Sequence, residues 1–225
     1  MKNSRETSKG EIYHICNKSI ANYNILDRKT NINRFIYTLD FYNTINLSRK
    51  LSEALRENKY SFNNLLLPRI GSLVKFLAFA IMPDHYHVLI KAFHDRVVSK
   101  YISNVENSYS RYFNLRNKRK GPLWQSRFRL VRVTTNEQLL HVSRYIHLNP
   151  TTARLVYKPE DWQYSSYREY INNSKILKDI ITEITIKDPK KYKKFCENQI
   201  DYQIKLKEIK RLLLEWPFAH LAGVY

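Results

Sequence analysis

Residues 73–82 form an apolar, aromatic-bearing run, and Pro83-Asp84 alone separates it from a second run, His85 to Ile90. Two strand-forming stretches joined so tightly predict an antiparallel hairpin. Along a strand the side chains alternate faces, so His85, His87 and Leu89 share one side and Tyr86, Val88 and Ile90 the other. The hairpin therefore presents two imidazoles in the same direction. Neutral imidazole is a common ligand for divalent metals, although an isolated His-x-His on a strand is more often a surface or structural pair.

The rest of the chain supplies partners for this hairpin. Residues 11–17 alternate well enough for a first strand, with Ile12, His14 and Cys16 on one face. That places His14 near the pair, but as a polar residue on an open sheet face rather than a ligand. From Asp27 to Asn58 the spacing turns helical, through Ile32, Phe35, Ile36 and Leu39 and then Leu47, Leu51 and Leu55. A stripe of Val97, Tyr101, Val105, Tyr109, Tyr112 and Phe113 predicts a helix over 97–118, closed by Arg116, Lys118, Arg119 and Lys120. After Gly121-Pro122, residues 126–133 read as a basic fourth strand. Thr135 or Asn136 then caps a helix expected to stop near Asn149, because Pro150 disfavours helical geometry in the residue before it.

Strand, helix, strand, strand, helix, strand is the ferredoxin-like (RRM-like) order, an α+β fold with an antiparallel sheet, two helices on one face and the other face open. The open face would carry the histidines. Trp162, Tyr164, Tyr167 and Tyr170 are expected to pack on this domain, with base stacking as the lesser alternative. The predicted division is one domain over 1–170 and a basic helical extension over 171–225. The extension would hold DNA, pack over the site or offer a partner surface, and a solvated lysine-rich helix is the plain alternative.

Composition narrows the class of partner. The 225-residue chain has 39 Lys and Arg against 20 Asp and Glu, a formal net charge of +19. A polyanion is the natural partner of such a chain, and nucleic acid is favoured over membrane. A coding bias toward lysine is the competing explanation. Cys16 and Cys196 make no disulfide framework, the first residues are polar, and the run 76–82 is too short to span a bilayer. A cytoplasmic protein is expected.

Within the helix that ends Ser143-Arg144-Tyr145-Ile146-His147-Leu148-Asn149-Pro150, Tyr145 and Asn149 are four residues apart and share a face. If that face covers the open side of the sheet, the Asn149 oxygen completes a three-ligand site with His85 and His87. Tyr145 then lies one turn away as a covalent nucleophile for a polarised phosphate. Without the histidines, the same two residues would be a core tyrosine and an ordinary helix end.

Five motifs in order carry a family resemblance: Met82-Pro83-Asp84-His85-Tyr86-His87, Tyr112-Phe113-Asn114, Gly121 to Phe128, Arg144 to Pro150, and Trp162 to Tyr167. Over about residues 10–170 the sequence resembles the REP-associated tyrosine transposases, members of the single-tyrosine HUH (His-hydrophobic-His) group. The resemblance implies a catalytic helix over the open sheet face, a divalent Mg²⁺ or Mn²⁺ held by His85, His87 and Asn149, and Tyr145 as nucleophile. It also implies single-stranded DNA substrates with REP-like hairpins, cut through a 5′-phosphotyrosine intermediate by a monomer, with a helix-exchanged dimer as the alternative. Tyr86 departs from the usual aliphatic residue, and its hydroxyl is expected at the edge of the core. From charge and pattern, Arg116, Lys118, Arg119, Lys120, Arg127, Arg129 and Arg132 are the candidate phosphate contacts. The readings in competition are a non-catalytic nucleic-acid binder on the same fold and a hydrolase using water as nucleophile.

Overall fold

The computed structural model describes residues 6–45, 47, 49–57, 65–172, 186 and 188–215, with side chains described as far as residue 208. Four strands form one antiparallel sheet: β1 (Ile12–Lys18), β2 (Val74–Ile81), β3 (His85–Ala92) and β4 (Arg129–Val133). Their spatial order is β2-β3-β1-β4, so the hairpin of β2 and β3 flanks the first strand on one side and β4 pairs with it on the other. This is the ferredoxin-like arrangement expected from the element order. Helices α1 (Lys29–Tyr42) and α3 (Val97–Arg116) pack together on one face. A short α2 (Leu51–Arg56) begins at Leu51, four residues after Leu47.

The sheet side chains sort by strand alternation. Tyr86, Val88 and Ile90 are buried, and the Tyr86 ring packs tilted against Phe35 of α1 at 5.0 Å. The Tyr86 hydroxyl lies inside the core rather than at its edge, donating to Glu106 of α3 at 2.7 Å. β2 is buried along almost its whole length because both its faces are covered, which explains the apolar run from Phe76 to Ile81.

Helix α4 (Asn136–Thr152) crosses the face opposite α1 and α3, against β2 and β3. Its start follows local chemistry: the Thr135 hydroxyl accepts from Gln138 N at 3.1 Å, and the Gln138 side chain returns to Thr134 N at 3.0 Å. Its end differs from the expectation at Asn149, because the helix runs through Pro150 to Thr152. In the last turn a proline removes one hydrogen bond, to the Ile146 carbonyl, and buried packing of Pro150, Thr151 and Thr152 outweighs that loss. Closure comes one turn later, from Ala153 N to Asn149 O at 2.9 Å, with Arg154 in the left-handed region at φ 58°.

Two other boundaries move. β4 starts at Arg129 rather than 126 because β1 pairs with it only as far as Cys16; beyond that, the Asn17 side chain donates to the Ser126 carbonyl at 3.0 Å. α3 ends at Arg116, and Lys118, at φ 50°, turns the chain.

Residues 162–166 run along the outer edge of β2, with Trp162 Nε1 donating to Ile81 O at 2.9 Å and Ser166 N to Phe79 O at 3.0 Å. α5 (Tyr167–Asn172) then buries Tyr167 and Tyr170. Of the aromatic cluster, these two are fully inside and pack on the domain as expected. The extension contributes α6 (Pro189–Glu197), whose Tyr192 and Cys196 join the same core, and α7 (Ile200–Glu215), which packs on α4.

Candidate functional site

Strand register brings the site together. Cys16 lies opposite His87 on one side and Arg129 on the other, so His87, Cys16 and Arg129 form a row across the open face. His14 is one step along β1 on that face, and its Nε2 is 3.0 Å from His87 Nδ1 with the rings stacked at 5.2 Å. His85, at the start of β3, sits edge-on to His87 with ring centroids 5.2 Å apart. Its Nδ1 is 2.5 Å from Asp84 Oδ1, and Lys18 Nζ reaches Asp84 Oδ2 at 3.4 Å. A carboxylate on Nδ1 fixes the tautomer that leaves Nε2 free to bind a cation.

From the other side α4 supplies Tyr145 and Asn149, within the same chain. The Tyr145 ring stands perpendicular to His87 at 5.3 Å and to His14 at 6.3 Å. Asn149, one turn on, is buried; its Oδ1 accepts from Lys207 Nζ of α7 at 2.7 Å, and its Nδ2 has no hydrogen-bond partner among the described residues. His147 lies between these two in sequence but is fully buried on another side of the helix, beside Ser166 at the β2 edge. Its Nδ1 is 2.8 Å from Tyr192 Oη and its Nε2 2.8 Å from Ser166 Oγ, which ties α4 to α6 and α5.

Burial governs the charge states. Desolvation lowers His14 to about 4, helped by Arg129, and holds His87 well below the usual imidazole value, helped by His14, His85 and Lys207. Both are therefore neutral, the form that binds metals. Tyr145 is 38 % exposed, yet the surroundings of its hydroxyl raise the phenol above its ordinary value; Asn149 and Arg129 act the other way. Lys207 is lowered to about 8 by burial, with Asp84 opposing that shift.

His14, Cys16 and His87 offer donor atoms that all lie within 4.8 Å of one another, a group able to hold a metal ion. A thiolate in such a set favours soft metals such as zinc, whereas the set expected from the sequence, His85, His87 and the Asn149 oxygen, would be a harder N,N,O one. At Asn149 Oδ1 the structure already holds a cation, the Lys207 ammonium, in a place a divalent ion would suit.

The basic residues expected to hold phosphates divide into two groups. Arg129 is exposed, beside Cys16 on the site face, and Arg116, Lys118, Lys120 and Arg127 are exposed at the end of α3 and in the following connection. Arg119 is used internally: it donates to Asn114 Oδ1 at 3.0 Å and to the carbonyls of Gly121 and Pro122 at 3.3 and 2.6 Å. Arg132 is held by Glu11, at 2.7 and 2.6 Å. Sequence reasoning left His14 outside the site and gave Lys207 no role. The alternation of His14 with Cys16 carried a signal for the first, while no motif surrounds the second.

Residues 71–149 match the family model described as transposase IS200 like. A solved structure of a REP-associated tyrosine transposase bound to a REP hairpin is similar in fold, at a TM-score of 0.52 and 16 % identity, covering 84 % of this chain and 90 % of that one. A second structure, from Deinococcus radiodurans R1 and named there as a candidate transposase, has a TM-score of 0.36 and 15 % identity, covering 65 % and 95 % of the two chains. No curated protein matches this sequence.

Proposed function

For a chain whose residues 71–149 match the IS200-like transposases, we propose a metal-dependent single-stranded DNA endonuclease and strand transferase that acts at or near hairpin elements. Tyr145 is its nucleophile. The phenolic oxygen attacks the scissile phosphorus, the bond from phosphorus to the 3′ oxygen breaks, and that oxygen leaves as a free 3′-hydroxyl after taking up a proton. The phenol gives up its own proton in the step. The product is a 5′-phosphotyrosine link that conserves the phosphodiester energy, so a second 3′-hydroxyl reverses the step and joins a new strand without ATP. A divalent Mg²⁺ or Mn²⁺ bound by His85, His87 and Asn149 would supply polarisation of the phosphate. Arg129 holds the phosphate beside the phenol. The reading takes the enzyme as a monomer, with a helix-exchanged dimer as the alternative.

The observation that carries this reading is Tyr145 set edge-on over His87 at 5.3 Å, with Asn149 one turn away on the same face of α4. Replacing Tyr145 by Phe is expected to abolish covalent protein–DNA adducts on hairpin-bearing single strands while leaving binding to those strands intact. An adduct that survives the substitution removes Tyr145 as the nucleophile.

One observation favours a second reading, a non-catalytic nucleic-acid binder. The Lys207 ammonium occupies Asn149 Oδ1, as it would in a site retired from metal chemistry. Such a protein would bind hairpins equally well with EDTA and would cut nothing in Mn²⁺.

A further inference from the structure

On the face of the sheet away from Tyr145, a cavity of about 640 Å³ opens between α3 and the connection that leads into β4. Its lining includes Ser103, Glu106 and Asn107 from the helix and Trp124, Arg127 and Phe128 from the connection. Glu106 retains only 7 % of its surface. One of its oxygens, Oε1, accepts from Asn17 Nδ2 at 2.8 Å and from the Tyr86 hydroxyl at 2.7 Å. The other, Oε2, accepts from none of the described residues and is not sealed from the cavity. A carboxylate oxygen that opens into a cavity is a strong acceptor for a donor placed there.

The walls are planar and rigid. Trp124 packs against Phe35, Tyr86 and Tyr109, and its Nε1 donates to the Glu106 carbonyl at 3.4 Å. Phe128 is half-buried and Arg127 exposed at the rim. Aromatic flanks, one fixed acceptor and a cation at the mouth match a nucleotide, whose base stacks, whose edge donates and whose phosphate stays outside. Chain order supports the same ligand: Phe128 lines this cavity, while its neighbour Arg129 begins β4 on the opposite, Tyr145 face. A single strand passing round the β4 edge would meet both.

We propose that this cavity takes an unpaired base of the DNA substrate and selects one with an exocyclic amine, cytosine over thymine among pyrimidines, through Glu106 Oε2. The inference rests on the single-stranded DNA reading above. Cytosine offers its N4 amine to the acceptor, whereas thymine sets a carbonyl oxygen against it.

Binding of labelled oligo-dC and oligo-dT of equal length, in EDTA and above the Glu106 pKa of about 6, tests this. Wild-type protein is expected to hold oligo-dC about tenfold more tightly, the size of one hydrogen-bond discrimination. Oligomers of 2-pyrimidinone, which is cytosine without its amine, should bind at the thymine level, an arm that needs no protein variant. In Glu106→Gln the amide oxygen keeps Asn17 and Tyr86 while the amide nitrogen turns donor toward the cavity, so the preference should reverse toward oligo-dT. Equal binding of the three oligomers by the wild type, or an unchanged ratio in a folded Glu106→Gln protein, overturns the pocket. Tyr145 adducts that form while the ratio stays flat would remove the pocket alone, whereas absence of any single-strand binding would remove it together with the proposed function.

Discussion

Lys207 and Asn149 share one hydrogen bond, and that bond sets the terms on which a divalent ion can enter. The ammonium donates to the oxygen proposed as the third ligand, so a metal must displace a partly buried cation. Replacing Lys207 by Met keeps the aliphatic stem and removes the charge. Mn²⁺ titrated calorimetrically should then bind more tightly than to the wild type, by about tenfold, the scale of one charge-assisted hydrogen bond. Affinity unchanged or weakened would mean that Lys207 does not compete for Asn149. Among the arginines, Arg129, with no ion-pair partner among the described residues, and the Glu11-bound Arg132 make a contrast. Arg129→Ala should lower the slope of log affinity for single-stranded DNA against log salt by about 0.7, while Arg132→Ala leaves it nearly unchanged. Equal losses would mean that the two share the phosphate. That His85 and His87 share a face was legible in the sequence because strand alternation is local. The nearness of His14 was legible in the same way, but not its direct approach to His87, which depends on the β1–β3 register between positions more than seventy residues apart.

Helix α4 is held from both sides. One side carries Tyr145 and Asn149, and another carries the buried His147 and Ser143, both bonded to the Tyr192 hydroxyl of α6. Tyr192→Phe removes that hydroxyl and leaves His147 Nδ1 without this partner in a fully buried site. A loss of about 1–3 kcal/mol in urea unfolding is expected, the cost of an unsatisfied buried polar group, and a loss under 0.5 kcal/mol would show the network to be idle. The helix was legible from its Thr135 cap and its Tyr145–Asn149 spacing. Its true end was not, since the rule for residues before proline is local, and packing of Pro150 to Thr152 overrode it. The extension was the least legible element: lysines that read as a solvated face place Lys207 in the site, and this follows from how α6 and α7 pack on α4 rather than from any motif.

For the molecule as a whole, alternating strand and helix patterns were enough to give the α+β class and the sheet, because a four-strand antiparallel order with helices on one face leaves few alternatives. The +19 charge pointed to a polyanion, and five of the exposed basic residues, Arg116, Lys118, Lys120, Arg127 and Arg129, lie at the end of α3, in the connection and on β4. Glu106 gives the fold a pH signature. Burial, the leading cause, raises its carboxyl from 4.5 to about 6, while the bonds from Asn17 and Tyr86 act in the opposite sense. The folded chain then holds this proton more tightly than the unfolded chain, so this contribution is fully present below pH 4.5 and is lost as pH rises to about 6. The loss amounts to about 2 kcal/mol. Urea unfolding between those limits should show that decline in the wild type and none from this group in Glu106→Gln; parallel profiles would place the carboxyl at its ordinary value. Within the described residues no helix is long and apolar enough to cross a membrane.

The most direct test of the central claim is peptide mapping, by mass spectrometry, of the adduct formed with Mn²⁺ on a hairpin-bearing single strand. The nucleotide should be found on Tyr145 through a 5′-phosphodiester, with a free 3′-hydroxyl on the released strand. Cleavage without an adduct and with a 5′-phosphate on the product, or an adduct on any other residue, would contradict it.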